Sequence, residues 1–211
     1  MSDYTASYTD EKGRTKQASL TPEDSMLALK NDYEEVLRRY NPKYVTIRRM
    51  QAKAGEAAHL RVTVNAPSHY LTAISDTEPK ACDSMDVDII CYMGYPLKPV
   101  KAFYAPEHYL ASPNVFRSGL ACIDTWVPFT SSLVSVVDKL VHDIIHDPCV
   151  SRYDSVANHE MVRWHKDGVA AGRFPTLAPR LLNVPQQTAL PPRRAPGKPA
   201  AAPPSLPARR R

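Results

Sequence analysis

Cys122 is the residue of this chain whose setting asks for chemistry. It lies in the stretch SPNVFRSGLACIDTWVP, residues 112–128. Asn114 stands eight residues before it on a Pro-Asn turn, Gly119-Leu120-Ala121 leads into it, and Trp126-Val127-Pro128 comes after it. A loop thiol beside a proline-fixed amide suits acyl transfer. Its thiolate attacks a thioester and becomes the new acyl carrier, and exchange from thiol to thiol keeps the acyl group activated. Passing that group to an amine then demands a held donor and a stabilised oxyanion. Asn114 can donate its amide N–H to the turn or to that oxyanion. The competing reading of Cys122 is one more buried thiol. Cys91 sits in an apolar strand pattern and is read as a core thiol, and Cys82 and Cys149 are loop thiols without a role. No histidine is placed by sequence as a general base, so a Cys-His hydrolase is not expected. The four cysteines form no CxxC pair and have no histidine at ligand spacing. They read as free thiols of a reducing cytosol, with no metal and no cofactor.

The elements that must position Cys122 can be read from periodicity. Thr21-Pro22-Glu23-Asp24 reads as an N-cap, a first-turn proline and an acidic first turn. Met26, Leu29, Tyr33, Val36, Leu37 and Tyr40 continue at helical spacing, so the pattern predicts an amphipathic helix over 22–40 that Asn41-Pro42 ends. Residues 44–51 and 59–67, rich in β-branched side chains around Gly55, read as an antiparallel strand pair. A third strand is expected over 85–93 and a short fourth within 95–106. After Cys122, Leu133, Val136, Val137, Leu140, Val141, Ile144 and Ile145 form one apolar stripe, capped by Ser131 or Ser132 and stopped before Asp147-Pro148. A last helix is expected near 155–166. With no βαβ alternation, the class is α+β: an N-terminal helix, a meander of about four antiparallel strands, the cysteine-bearing loop, then C-terminal helices.

Charge and composition divide the chain. The net charge is +5, but residues 175–211 hold seven Lys or Arg, no acid and ten of the twenty prolines, which leaves the remainder at −2. Such a segment buries too little apolar surface to offset its ordering entropy. Three parts are therefore expected: a flexible N-terminal segment over 1–20, a catalytic domain over 21–170 and a disordered Pro/Arg-rich tail over 171–211. Within the tail, Pro204-Ser205-Leu206-Pro207-Ala208-Arg209 fits a PxxPxR ligand, and the plain alternative is a solvated extension weakly drawn to polyanions. Nucleic acid is expected only as such non-specific attraction. No run approaches 18 apolar residues, and no membrane partner is expected.

The block from Tyr95 to Pro148 resembles the core of ubiquitin-conjugating (UBC-fold) enzymes. Tyr95-Pro96-Leu97-Lys98-Pro99 is similar to their Tyr-Pro-x-x-Pro-Pro strand opening, and Ser112-Pro113-Asn114 to their His-Pro-Asn turn. Gly119 to Asp124 matches the run around the family cysteine, and Trp126 to Pro128 with the striped helix matches the Trp-x-Pro and long helix beyond it. Ser112 departs from the family histidine, the Cys122–Trp126 loop is short, and the family's signature between strands two and three is replaced by residues 68–84. The divergence is similar to bacterial relatives encoded beside ubiquitin-like proteins and activating enzymes, some in antiviral operons. The resemblance implies that Cys122 accepts a ubiquitin-like modifier from an activating enzyme and passes it to an amine acceptor. It implies that Asp154 orients the attacking lysine and accepts its proton, with Tyr153 packing on the lysine stem. It places Leu97, Pro128 and Phe129 where a ligase would dock, and Lys30, Arg38 and Arg39 on the face that meets the activating enzyme. Ordinary loop burial and a solvated helix face are the respective alternatives. For the whole chain, the alternatives are an inactive UBC-like or RWD-like binding module, or a scaffold that works through its tail.

Overall fold

The computed structural model of the chain describes residues 3–9, 12–73, 75–148, 153, 156–174 and 181–182. The architecture of the described residues is α+β, with antiparallel sheets and three helices among them. Helix α1 (Pro22–Arg39) starts as expected: the Thr21 side chain accepts from the Asp24 N–H, proline fills the first turn, and Glu23 and Asp24 meet the helix N-terminus, a cap that contributes about 1 kcal/mol. Its buried stripe is Pro22, Ser25, Leu29 and Val36, with Tyr40 just beyond. Met26 and Leu37, read as part of that stripe, are exposed instead.

The main sheet has four antiparallel strands, with two strands of another sheet inserted between its second and third. Strands β3 (Val45–Met50), β4 (Glu56–Val64), β7 (Met85–Tyr92) and β8 (Lys101–Tyr104) pair antiparallel in the order β3-β4-β7-β8. On one face Leu60, Val62 and Val64 of β4 and Val87, Ile89 and Cys91 of β7 are buried, with the α2 stripe and Leu29 and Val36 of α1 in the same core. The other face carries polar cross-strand contacts. Arg61 lies opposite Asp88 in the register and grips it with two hydrogen bonds, of 2.7 and 2.8 Å.

Helix α2 (Leu133–Ile144) is fixed at its start by a reciprocal capping box between Ser132 and Ser135. Its first N–H, on Leu133, donates to the Asp32 carboxylate at 3.0 Å and to the Tyr95 hydroxyl at 2.7 Å, while the Tyr95 hydroxyl itself donates to Asp32. Helix α1, the cis Tyr95–Pro96 turn and α2 thus meet at one carboxylate. Helix α3 runs Glu160–Ala170, later than the expected 155–166.

Three expectations need correction. Residues 1–20, expected to be flexible, hold a β-hairpin, β1 (Tyr4–Thr9) paired with β2 (Thr15–Leu20). Tyr4, Ala6 and Tyr8 turn their half-buried faces the same way, and Tyr4 packs beside Gly94. A second small sheet, β6 (Lys80–Cys82), β5 (Ser68–Leu71) and β9 (Tyr109–Leu110), lies in segments where the sequence pattern predicts no strand. The domain also does not stop at 170. Phe174 joins an aromatic cluster with α3, and Leu181 is buried in the main core. The Asn41 N–H donates to the Leu181 carbonyl at 2.9 Å, and Tyr40 bridges Leu182. The rest of the tail lies outside the described residues. No helix among the described residues is long and apolar enough to cross a membrane.

Candidate functional site

The eight-residue interval between Asn114 and Cys122 is a hairpin register. Val115 bridges Ala121, and the Phe116 N–H donates to the Leu120 carbonyl at 2.8 Å. The next pair in that register is Asn114 opposite Cys122, and there the Cys122 N–H donates to the Asn114 carbonyl at 2.7 Å. Gly119 makes the turn, at φ 80°. A Cβ at that position would lie 2.8 Å from the Tyr109 ring and 3.2 Å from the Tyr104 carbonyl, so only glycine fits without a shift. The returning arm is tied to the meander edge: the Tyr104 N–H donates to the Gly119 carbonyl and the Ala121 N–H to the Ala102 carbonyl, at 3.0 and 2.9 Å. Cys122 is thereby placed, half-buried, at the end of an arm that extends the main sheet.

Among the described cysteines, burial separates the thiols. Cys91 is fully buried in the core, and desolvation, with Asp32's charge, pushes its thiol up to about 12. Burial also raises the Cys82 thiol. Cys149 lies outside the described residues.

Asn114 is buried, 3% exposed. Its side-chain amide donates to Asp143 Oδ1 of α2 at 2.7 Å, and its backbone N–H donates to Ser112 Oγ at 3.1 Å. The Ser112 hydroxyl thus holds the Asn114 backbone in place. Asp143 is the residue that sequence reasoning missed. It is buried, 4% exposed. Burial pushes its carboxyl up to about 7, opposed by the Asn114 hydrogen bond and the charge of Lys139 and assisted by that of Asp124. The Tyr104 hydroxyl, buried and without a hydrogen-bond partner among the described residues, is held well above its ordinary pKa by desolvation and by Asp143's charge. On the far side of the cysteine, Asp124, at φ 67°, takes an ion pair from Lys139 at 2.7 Å.

The remaining expected site residues are dispersed. Asp154 lies outside the described residues. Tyr153 points its hydroxyl to His165 Nδ1 of α3, 2.8 Å away, and Lys166 lies 4.7 Å above its ring. Of the three residues expected to dock a ligase, Leu97 and Pro128 are buried, while Phe129 is 53% exposed on a left-handed turn at φ 62°. Beside it the hairpin residues Tyr8, Lys12, Arg14 and Lys16 line a shallow cavity of about 300 Å³ with Val127, Pro128 and Thr130. On α1, Lys30 and Arg38 are exposed and pair with Glu34 and Glu35 of the same helix. Arg39 turns to α2, its Nε donating to Asp138 at 2.7 Å. Among the described residues no group of three or more His, Cys, Asp or Glu is placed to hold a metal ion.

No family model matches the chain, and no curated protein matches it. Among solved structures, that of the human ubiquitin-conjugating enzyme E2 G1 is similar to it at 20% identity, with a TM-score of 0.40, over 61% of this chain and 99% of that one. This is a distant likeness of fold, and it leaves the chemistry of Cys122 to be judged from Cys122's own surroundings.

Proposed function

We propose that the chain is a cysteine acyl carrier of the ubiquitin-conjugating kind. Cys122 attacks the thioester of a ubiquitin-like modifier held on an activating enzyme, and that enzyme's cysteine leaves as the thiolate. An amine acceptor then attacks the Cys122 thioester. The new amide forms, Cys122 leaves as the thiolate, and the amine proton passes to a carboxylate or to solvent. The observation that carries this reading is the Asn114–Cys122 hairpin: a half-exposed thiol on a backbone fixed at 2.7 Å to a Pro-Asn turn, on a chain whose motif order resembles the family. A merely structural thiol needs none of that scaffolding, as the buried Cys91 illustrates. Phe129, exposed beside the β1–β2 hairpin, is the residue of the proposed docking set that faces a partner. Asp154 remains the proposed acid for the incoming amine, and Tyr153 its neighbour.

The test is a charging assay with a ubiquitin-like protein, its activating enzyme and ATP. Wild type should form an adduct that reductant removes. Cys122→Ser should give a reductant-resistant oxyester and Cys122→Ala none. An adduct that survives Cys122→Ala but vanishes in Cys91→Ala or Cys149→Ala rejects the assignment.

A further inference from the structure

The helix behind the cysteine carries a buried acid that a purely structural helix would do without. Asp143 is buried at the edge of the apolar stripe of α2, next to Ile144 and three residues after Leu140, both of them buried. A carboxylate there costs stability unless its contacts matter. Its described hydrogen bond goes to the Asn114 side chain, at 2.7 Å, and the Asn114 carbonyl receives the Cys122 N–H. Lys139, four residues earlier and so one turn along the same face, reaches Asp124 at 2.7 Å, two residues past the cysteine. Asp124 adopts a left-handed backbone there, a conformation that an aspartate holds at some cost. One helix therefore grips the chain on both sides of Cys122.

We propose that Asp143 is a positioning residue for Cys122, clamping with Lys139 the two flanks of the cysteine hairpin to α2. Its weight in catalysis rests on Cys122 being the acyl carrier, but the clamp itself is measurable without any acyl transfer. The clamp is sensitive to pH. The groups facing Asp143 are Asn114 from the turn, Tyr104 from β8, Asp124 from the segment after the cysteine and Lys139 from α2. His142, next to it on α2, is engaged with Asp147 at 2.8 Å. Desolvation is the largest influence on Asp143, and lifting the Asn114 turn would remove its cover. The buried carboxyl titrates near 7 and a solvated one near 4. Opening therefore releases a proton, and it becomes easier as pH rises from about 4 through about 7. Neutral Asp143 holds the hairpin down, and ionised Asp143 draws water in and loosens it.

The experiment is amide hydrogen exchange of the full chain by NMR, read at Cys122 between pH 5.5 and 8.5 and corrected for intrinsic rates. Protection at Cys122 should fall roughly tenfold or more across that range in wild type and stay flat in Asp143→Asn, while Leu60 in the sheet centre stays better protected than Cys122. Should Asp143→Asn fail to fold, the wild-type side-chain carboxyl of Asp143 and the amide of Cys122 are titrated together, and both should move with one midpoint near neutrality. A flat wild-type profile, a rise in protection with pH, the same fall in Asp143→Asn, or an Asp143 midpoint near 4 each overturns the proposal. Neither readout uses a modifier. Failure of the charging assay with the clamp intact would therefore sink the functional reading alone, and the reverse result would sink the clamp alone.

Discussion

Asn114 shows how a role read from spacing changes once the partners are known. Its interval to Cys122 is legible because a hairpin register fixes it, but the amide that could serve an oxyanion is already engaged by Asp143 at 2.7 Å, in a site 3% exposed. Asn114→Ala should therefore act through shape. It leaves a buried acceptor unpaired, at a cost of about 1–3 kcal/mol, and it frees the arm that holds Cys122. In single-turnover decay of the proposed Cys122 thioester, discharge to free lysine and to a free thiol should slow together, alongside a lower melting temperature. Slowing confined to lysine, with stability unchanged, would restore the oxyanion role. Asp143 itself is not legible in the sequence. A lone acid between apolar positions reads as the solvent-facing edge of a helix stripe, and only the turn folded over it makes it buried.

At the scale of elements, the long signals are readable and the short ones are not. The four meander strands and α2 carry runs of β-branched or striped residues that local sequence marks well. Strands β5, β6 and β9 have four, three and two residues, too few for a period to show. The β1–β2 hairpin does leave a trace, the alternation of Tyr4, Ala6 and Tyr8 ahead of Gly13, which composition alone obscures. Helix α3 is hard to place because its start has no side-chain cap from His159; Asn158 Oδ1 instead accepts from the Glu160 N–H at 3.2 Å. Its docking is unusual in using histidines. His165 of α3, His146 after α2 and His69 of β5 succeed one another at ring separations of 5.5 and 5.4 Å, with Trp164 and Phe174 packed among them. Burial holds His165 down to about 4 and His146 well below its ordinary value, the latter helped by the neighbouring histidines. It also lowers His69, with Arg173 contributing. A histidine depressed in the folded state stabilises fully above about 6.5 and loses that stability as pH falls toward its folded value. His165 alone accounts for about 3 kcal/mol over that interval. In a Trp126→Phe background, Trp164 fluorescence should change between about pH 6 and 4, before the far-UV signal of the sheets is lost. A Trp164 signal that stays flat to pH 4 would show that protonation of these rings is accommodated in place.

For the molecule as a whole, the boundary between domain and tail is where composition misleads most. Ten prolines and seven cations after residue 174 suggest a segment without a core role, and the averaged signal hides two leucines. Leu181 is 1% exposed in the main core, next to the end of α1 that Tyr40 and Arg39 tie to Asp138 of α2. Its carbonyl takes the N–H of Asn41, two residues past the C-terminal end of α1. Truncation after Arg173 therefore removes a buried leucine, a backbone hydrogen bond and the Phe174 ring that packs on His146 and His165. A buried leucine lost outright costs about 2–5 kcal/mol, and at this size 1 kcal/mol moves the melting temperature by roughly 2–4 °C. That truncation should lower the midpoint by about 10 °C or more. Truncation after Leu182 keeps all three contacts and should leave the midpoint within a degree or two. It also discards Arg193, Arg194, Lys198 and the three terminal arginines, so it should abolish most of the salt-sensitive attraction to heparin expected of the full chain. Equal midpoints for the two truncations would mean that Leu181 contributes nothing to the core it lies in. An equal loss in both would mean that residues beyond 182 hold the domain together as well.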